Sequence, residues 1–576
     1  MKLLFRSYLA SLREREELDA VLPDLLSELG YTVYSRPQRG TTQAGVDIAA
    51  VGMDEDGERK LFLFSIKQGD LTRQSWDGTP QALRPSLNEI IDTYIPTRVP
   101  RRYQHLKIVI CLVFGGDMQE QVRTSISGYI AKNTTEKISF DEWNGDKLAG
   151  LMMQGILREE IMPKSVRSLF QKAVALVDEP EISYQYFSRL VYEMTVRSPL
   201  PNDRTRVRVA RQLYIATWVL FVWARDADNV EAPYQASELV VLRIWDLMRC
   251  YLNKPSPAGK ALDLVLGHAI QLHLTIALGF LERKILPHVA LRDAIGVATR
   301  SRSSVDVNLK LFDLLGRIGL TGLWLHWLAE SKSDSSEREA GKLKLKSLTT
   351  AGCQLIENNR ALFLPIKDQH AIEIALFLML VYAADANTQD MPGWLDQMAR
   401  ELAYSVRTHG RYPCVFSDYR DLVAHPRERT DEYREEATAG SFLLPLLASF
   451  LSAFGSKEAM NLLAGLVSSE LRHCTLQVWL PDNKTDDGMF VGSNDHGLAV
   501  CDLPLTESGK ELRQTIQQEC LRSTAFGNLS AIKTGFWPLV LAACRHFRMP
   551  VPPQLWLDLV VTDPEGKARA APKDES

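Results

Sequence analysis

Two textures divide the chain near residue 160. Before it the spacing of apolar residues switches between helical and strand-like periods; after it a period near 3.6 runs almost without interruption. Leu18, Val21, Leu22, Leu25, Leu26 and Leu29 predict a first helix over 11–29 that stops at Gly30, with Pro23 marking a kink or a break. Strands are expected at 31–36, 46–52 and 60–68, the last two joined by a polar turn with Gly57 at its tip. A helix over 81–94, closed by Pro96, leads to a strand at 107–114 that is apolar on both faces. Helix 117–131, strand 137–143 and a short helix over 146–153 follow. The resulting order α-β-β-β-α-β-α-β-α is that of one α/β domain.

Further helices are expected at 165–177, 182–197, 203–228, 237–252, 258–284, 304–330, 338–358, 367–384, 394–407, 440–455 and 457–472. Asn202 is an N-cap signal for the third of them. No fixed period supports a regular solenoid. The polar segment 331–342 reads as a loop or fraying helix end, and TLQVWL and GLAVCDL within 475–504 as a small hairpin. The expected organisation is an α/β domain over 1–160, with a mixed central sheet flanked by helices, then a helical region over 165–472. A mainly helical C-terminal region over 473–561 and a disordered tail over 562–576 complete it.

Composition narrows the function classes. The 576 residues carry 67 Lys+Arg against 71 Asp+Glu, so a nucleic-acid partner must be held by a local basic patch rather than by whole-molecule charge. The two most apolar stretches noted, 371–384 and 441–454, are shorter than the ~18 residues that cross a bilayer. Eight scattered cysteines with no C-x-x-C pair imply reduced thiols and a cytoplasmic protein without zinc fingers.

Candidate chemistry concentrates in the first domain. Asp47 lies within GVDI and Lys67 within FLFSIKQG, on strands that a hairpin would pair. Alternation puts Ser65 and Lys67 on one face, with Ile66 pointing the other way. A carboxylate beside a lysine at a strand edge suits metal-assisted phosphodiester hydrolysis: the carboxylate holds a hard divalent cation, and the lysine orients or helps deprotonate the attacking water. The Ile66 carbonyl is a further oxygen ligand for such a cation. The structural alternative makes Asp47 a strand-end cap and Lys67 an edge-strand charge that deters aggregation.

These residues resemble those of the PD-(D/E)XK nucleases, most closely the restriction-endonuclease-like branch that includes Mrr. The likeness rests on the helix LDAVLPDLLSELGYTV, on GVDI, on SIKQ and on the ending ISFDEWNGDKLAGLM, and it covers roughly residues 10–155. It implies a restriction-endonuclease-like fold, Mg2+ or Mn2+ as cofactor and DNA as substrate. Asp47 would be the central acid and metal ligand, and Lys67 the lysine. Gln68 would support the site, Asp19 would stand where the family usually places a helix glutamate and could bind the metal, and Ile66 would lend its carbonyl. Ser65 departs from the pattern, which has Glu or Gln there; Asp19 or Asp70 is the residue available to restore the charge. Large helical extensions on Mrr-like domains point to bacterial DNA restriction or phage defence, with the helical region sensing a trigger, a companion protein or a second copy. The alternative is a catalytically degenerate nuclease fold serving as a nucleic-acid-binding or protein-interaction scaffold.

Basic candidates for backbone contacts are Arg39, Arg101 and Arg102, and Arg204 and Arg208, which with Arg211 form a ridge at i, i+4 and i+7. A polar connecting loop and a solvated helix face are the plain readings of the last two groups. The histidines lack metal-ligand spacing, and no phosphate-binding glycine loop is present.

Overall fold

The computed structural model describes residues 6, 9–10, 18–35, 44–54, 56–156, 164–197, 200–252, 256–299, 301, 303–332, 334–384 and 390–561. Arg39 and the tail over 562–576 lie outside the described residues, as does the part of the expected first helix before residue 18.

An N-terminal mixed α/β sheet is followed by a mainly helical region. Helix α1 (Asp19–Glu28) contains Pro23 without ending there. Strands β1 (Thr32–Ser35), β2 (Ile48–Met53) and β3 (Arg59–Lys67) form an antiparallel meander, and β4 (Ile108–Phe114) and β5 (Ile138–Trp143) add parallel to β3 and to each other. The strand order in the sheet is β1-β2-β3-β4-β5. The two crossovers carry α2 (Arg73–Asp77) with α3 (Leu83–Glu89), and α4 (Glu120–Asn133). Leu61 and Leu63 of β3 and Ile108, Ile110, Leu112 and Phe114 of β4 share one core with Leu83, Leu87, Val122 and Ile126 of these helices. Phe62 and Phe64 face the other way, where their rings lie 5.1 Å from those of Tyr31 and Trp143 respectively. That face is left to α1 and α5 (Gly145–Ile156), which pack against each other.

Pro96 does not close its helix as expected. From Ile90 to Tyr94 the helix widens into a π-turn, then continues over Ile95–Arg98. Proline has no N–H and its ring crowds the carbonyl one turn back, so a locally wider turn lets the helix pass over it.

By contacts the chain forms two compact units, one of residues 1–240 and 256–272, the other of 241–255 and 273–576. The first holds the sheet with α6 (Lys164–Ala175), α7 (Pro180–Tyr192) and α8 (Asp203–Asp226), and parts of α9 (Glu231–Arg249) and α10 (Pro257–Phe280). Asn202 caps α8 as its sequence signals, accepting the Thr205 N–H at 2.9 Å.

In the second unit α11 (Ser304–Ser331) crosses α13 (Ala371–Ala383) at a stripe of Gly316, Gly319 and Gly322. A Cβ on Gly319 would stand 2.9 Å from the Leu376 backbone, so only glycine lets the two helices approach this closely. Beside the crossing, Asp313 pairs with Arg317 at 2.8 Å and with Arg545 at 2.5 Å. Burial opposes its charge, yet these arginines hold the Asp313 carboxyl well below the usual carboxylate range. The polar segment 331–342 is not a loop throughout: Asp334 caps α12 (Ser335–Glu357), accepting the Ser336 N–H at 2.7 Å. The expected hairpin is present as β6 (Val478–Leu480) paired antiparallel with β7 (Leu498–Val500).

All eight cysteines are free. The stretches 371–384 and 441–454 hold the buried helices α13 and α14 (Leu443–Phe454). Among the described residues one helix, Pro257–Ile285 with its final π-turn, is long and apolar enough to cross a membrane by length and composition, and 56% of its apolar 18-residue window is buried inside the protein.

Candidate active site

β2 leaves the sheet at its N-terminal end, and Asp47 fills the gap. Its N–H donates to the Phe64 carbonyl at 2.9 Å, while Phe64 is also the register partner of Ile48. Two successive residues opposite one is bulge geometry, and it turns the incoming chain away from β3. The Asp47 Oδ2 then accepts the Ile66 N–H at 2.7 Å, standing in for the backbone carbonyl that β2 no longer offers. The carboxylate is thereby fixed at the residue between Ser65 and Lys67. In an extended strand the carbonyl of a residue leaves from the same edge as its N–H, so the Ile66 oxygen is directed along the edge that Asp47 occupies.

Gly45 makes this exit possible. Its φ is +78°, and a Cβ there would lie 2.0 Å from the Ser86 carbonyl oxygen on α3. The loop therefore lies flat on α3 and delivers Asp47 to the end of β3.

Ser65 and Lys67 share the face of β3 that carries Leu61 and Leu63. Ser65 is 1% exposed and Lys67 9%, whereas Asp47 is half-buried and Gln68 exposed. The Ser65 Oγ is buried without a hydrogen-bond partner among the described residues. A buried hydroxyl with no such partner, two residues before Lys67 on the same strand face, can serve as an oxygen donor to a cation or to its bound water.

These donors fit a hard cation of the magnesium type: one carboxylate, one backbone carbonyl and one hydroxyl, with waters and a substrate phosphate completing the shell. Among the described residues no group of three or more His, Cys, Asp or Glu side chains is placed to hold a metal.

Asp70 does not supply the missing acid from the strand end. Its Oδ1 accepts the Asp117 N–H at 2.8 Å and so ties the exit of β3 to that of β4. The neighbouring exits are laced in the same way, Gly116 N–H to Gly69 oxygen and Gly145 N–H to Gly116 oxygen, both at 2.9 Å. Gly69-Asp70, Gly116-Asp117 and Gly145-Asp146, one after each parallel strand, are a pattern visible in the sequence that its reading passed over.

Asp19 opens α1. The helix reverses into β1 at Gly30, and Thr32 pairs with Val51, so α1 runs back toward the end of the sheet where Asp47 lies, about 15 Å for its ten residues. Asp19 is also felt by Tyr214 of α8: burial pushes that phenol well up, and the carboxylates of Asp24 and then Asp19 add to it.

Arg101 and Arg102 are exposed in a short turn, with the Arg102 guanidinium 4.7 Å over the Tyr103 ring and that ring 5.2 Å from Tyr34 of β1. None of their described contacts is with Asp47, Ser65 or Lys67. On α8, Arg204 is exposed and Arg208 half-buried. Arg211 is 14% exposed and stands 3.9 Å from the fully buried Asp24 of α1. The ridge is therefore not a uniformly solvated face: it runs from solvent down to α1. His268 of α10 meets the same carboxylate at 3.4 Å.

No protein-family model, curated protein or solved structure matches the chain. The geometry stands alone.

Proposed function

We propose that the N-terminal domain is a restriction-endonuclease-like nuclease that cleaves DNA with Mg2+ or Mn2+ as cofactor. The observation that carries this reading is the Asp47–Ile66 hydrogen bond, which fixes an acid one residue from both Ser65 and Lys67. Support comes too from the five-stranded sheet, whose three antiparallel strands and two parallel ones accord with the mixed central sheet flanked by helices expected from the sequence.

In this reading Asp47 and the Ile66 carbonyl bind the cation, and Ser65 lends its hydroxyl to the cation or to its water. Bound there, the cation would neutralise phosphate charge and acidify a water. Lys67, on the same strand face as Ser65, orients the attacking water and balances charge on the phosphate. Gln68, exposed at the strand end, contacts the nucleic acid. Arg204 and Arg208 track the backbone from the ridge that begins at α1, the helix of Asp19. The helical region would read a trigger, a companion protein or a second copy, in DNA restriction or phage defence.

The second reading, a degenerate nuclease fold that binds without cutting, is favoured by one observation: the Ile66 N–H gives Asp47 a structural task that needs no metal. Conversion of supercoiled plasmid in Mg2+, with and without chelator, separates the two. The nuclease reading expects nicking or linearisation that is lost in Lys67→Met and Asp47→Asn. Equal DNA products from wild type and both variants, or none from any, overturn it; an RNA substrate run alongside tests DNA against RNA.

A further inference from the structure

Two cations of the second unit meet at the start of α13. Lys367 precedes the short turn Asp368–His370 that opens this helix, and Arg548 reaches the same turn from the end of α15 (Pro538–His546). The Arg548 guanidinium holds both oxygens of the buried Glu373 and donates to the Gln369 carbonyl at 3.3 Å. Arg548 has φ +58°, and the Met549 N–H closes back on the Cys544 carbonyl at 2.8 Å. An arginine therefore fills the left-handed helix-end position that glycine normally takes.

Glu373 does not serve Lys367 as well. Lys367 is half-buried, and its ammonium forms no ion pair among the described residues. Burial, then repulsion by Arg548, hold it below the ordinary lysine value, and the attraction of Glu373 is the smaller effect. Asp368, the adjacent acid in sequence, is committed to the start of α14: it accepts the Ser441 hydroxyl, the Phe442 N–H at 2.8 Å and the Leu443 N–H at 3.2 Å. His370, 2% exposed, feels both cations, and its buried Nδ1 has no hydrogen-bond partner among the described residues. The Arg548 side chain is 37% exposed, so solvent reaches the pair.

We propose that Lys367 and Arg548 form a binding site for a small phosphate-class oxyanion, inorganic phosphate or a phosphomonoester, with the His370 Nδ1 as a further hydrogen-bonding group. A tetrahedral oxyanion suits this set. The ammonium is a compact point charge, the guanidinium presents N–H donors in a plane, and the start of α13 adds positive potential. The anion gives Lys367 the counter-charge that Glu373, taken by Arg548, withholds. The site uses neither Asp47 nor Lys67, so it stands or falls apart from the nuclease reading.

The test is isothermal titration of inorganic phosphate into the full chain at neutral pH, with ionic strength held constant by sodium chloride. One saturable site with a Kd of about 1 mM or tighter is expected, weakened at least about tenfold in Lys367→Met. In chloride alone Lys367→Met should melt at or above wild type, because it removes a repelled, half-buried cation. Phosphate should raise the melting temperature of the wild type and leave that of the variant unchanged. AMP run alongside separates the sources: tighter binding than phosphate assigns the ester, equal or weaker binding the free ion, and either supports the site. Absence of saturable phosphate binding by the wild type, or equal affinity in Lys367→Met, overturns the proposal. So does a Lys367→Met protein that melts well below wild type in chloride, since the lysine would then be a structural partner of Glu373.

Discussion

The Asp47 Oδ2 accepts the Ile66 N–H at 2.7 Å, so one carboxylate both ends the β2–β3 ladder and furnishes the acid of the candidate site. Alanine at this position is therefore a poor probe of catalysis, because it strands a buried N–H. Asp47→Ala should destabilise the protein by about 1–3 kcal/mol. Asp47→Asn keeps a carbonyl acceptor and should melt close to wild type while losing the cation ligand. Urea denaturation of both variants checks this; equal stability of the two would show that the Ile66 N–H does not depend on Asp47.

Gly45 should be as intolerant as any position in the first unit. Gly45→Ala forces a left-handed residue and a Cβ 2.0 Å from the Ser86 oxygen. A loss of about 2–5 kcal/mol is expected, read as a lowered melting temperature. An unchanged melting curve would mean that the loop does not lie on α3 as described.

Asp24 is fully buried between Arg211 and His268. Asp24→Ala removes the buried carboxylate that faces the half-buried Arg211 and should cost about 3–5 kcal/mol. Stability within about 0.5 kcal/mol of wild type would place this cluster among ordinary surface substitutions.

Acid should weaken the second unit before it reaches the usual carboxylate range. His425 is buried, its Nδ1 3.0 Å from the Tyr433 hydroxyl and its Nε2 2.9 Å from the Tyr412 carbonyl. Burial pushes it down to about 4 from an ordinary value of 6.5. Burial also holds His370, stacked 4.1 Å from the Phe312 ring, well below the usual range. Between those two values only the unfolded chain takes up the His425 proton, so stability is full above pH 6.5 and falls toward pH 4. The slope is at most about 1.4 kcal/mol per pH unit for each such proton. Burial raises the Asp368 carboxyl, which acts in the opposite sense. Urea midpoints at pH 7 and pH 5 measure the effect, and His425→Gln should flatten it; a midpoint that rises on acidification would contradict the assignment.

Much of the fold was legible because period and punctuation agree. Leu18 to Leu29 at helical steps, the doubly apolar IVICLVF and the Asn202 cap each name one element unambiguously. Pro96 misled because a π-turn can absorb a proline, and spacing carries no trace of that. The helix Pro257–Ile285 escaped the search for long apolar runs because Lys260, Asp263 and His268 interrupt it. At the site, Asp47 and Lys67 could be named from strand position, but the bulge at Ile48 and the hydrogen bond to Ile66 depend on how Gly45 meets α3, a contact distant in sequence. Asp24 left a signal that went unread, a charged residue among the apolar steps of Leu22, Leu25 and Leu26. Its partners Arg211 and His268 come from helices nearly two hundred residues and more away.

The measurement closest to the central claim is the position of the cation itself. Crystals of the Lys67→Met variant grown with a short DNA duplex and Mn2+ allow the metal to be located by anomalous scattering. A peak within coordination distance of an Asp47 carboxylate oxygen and the Ile66 carbonyl, with a phosphate oxygen beside it, is the predicted result. Duplex bound with manganese elsewhere, or with none near Asp47, would contradict the account.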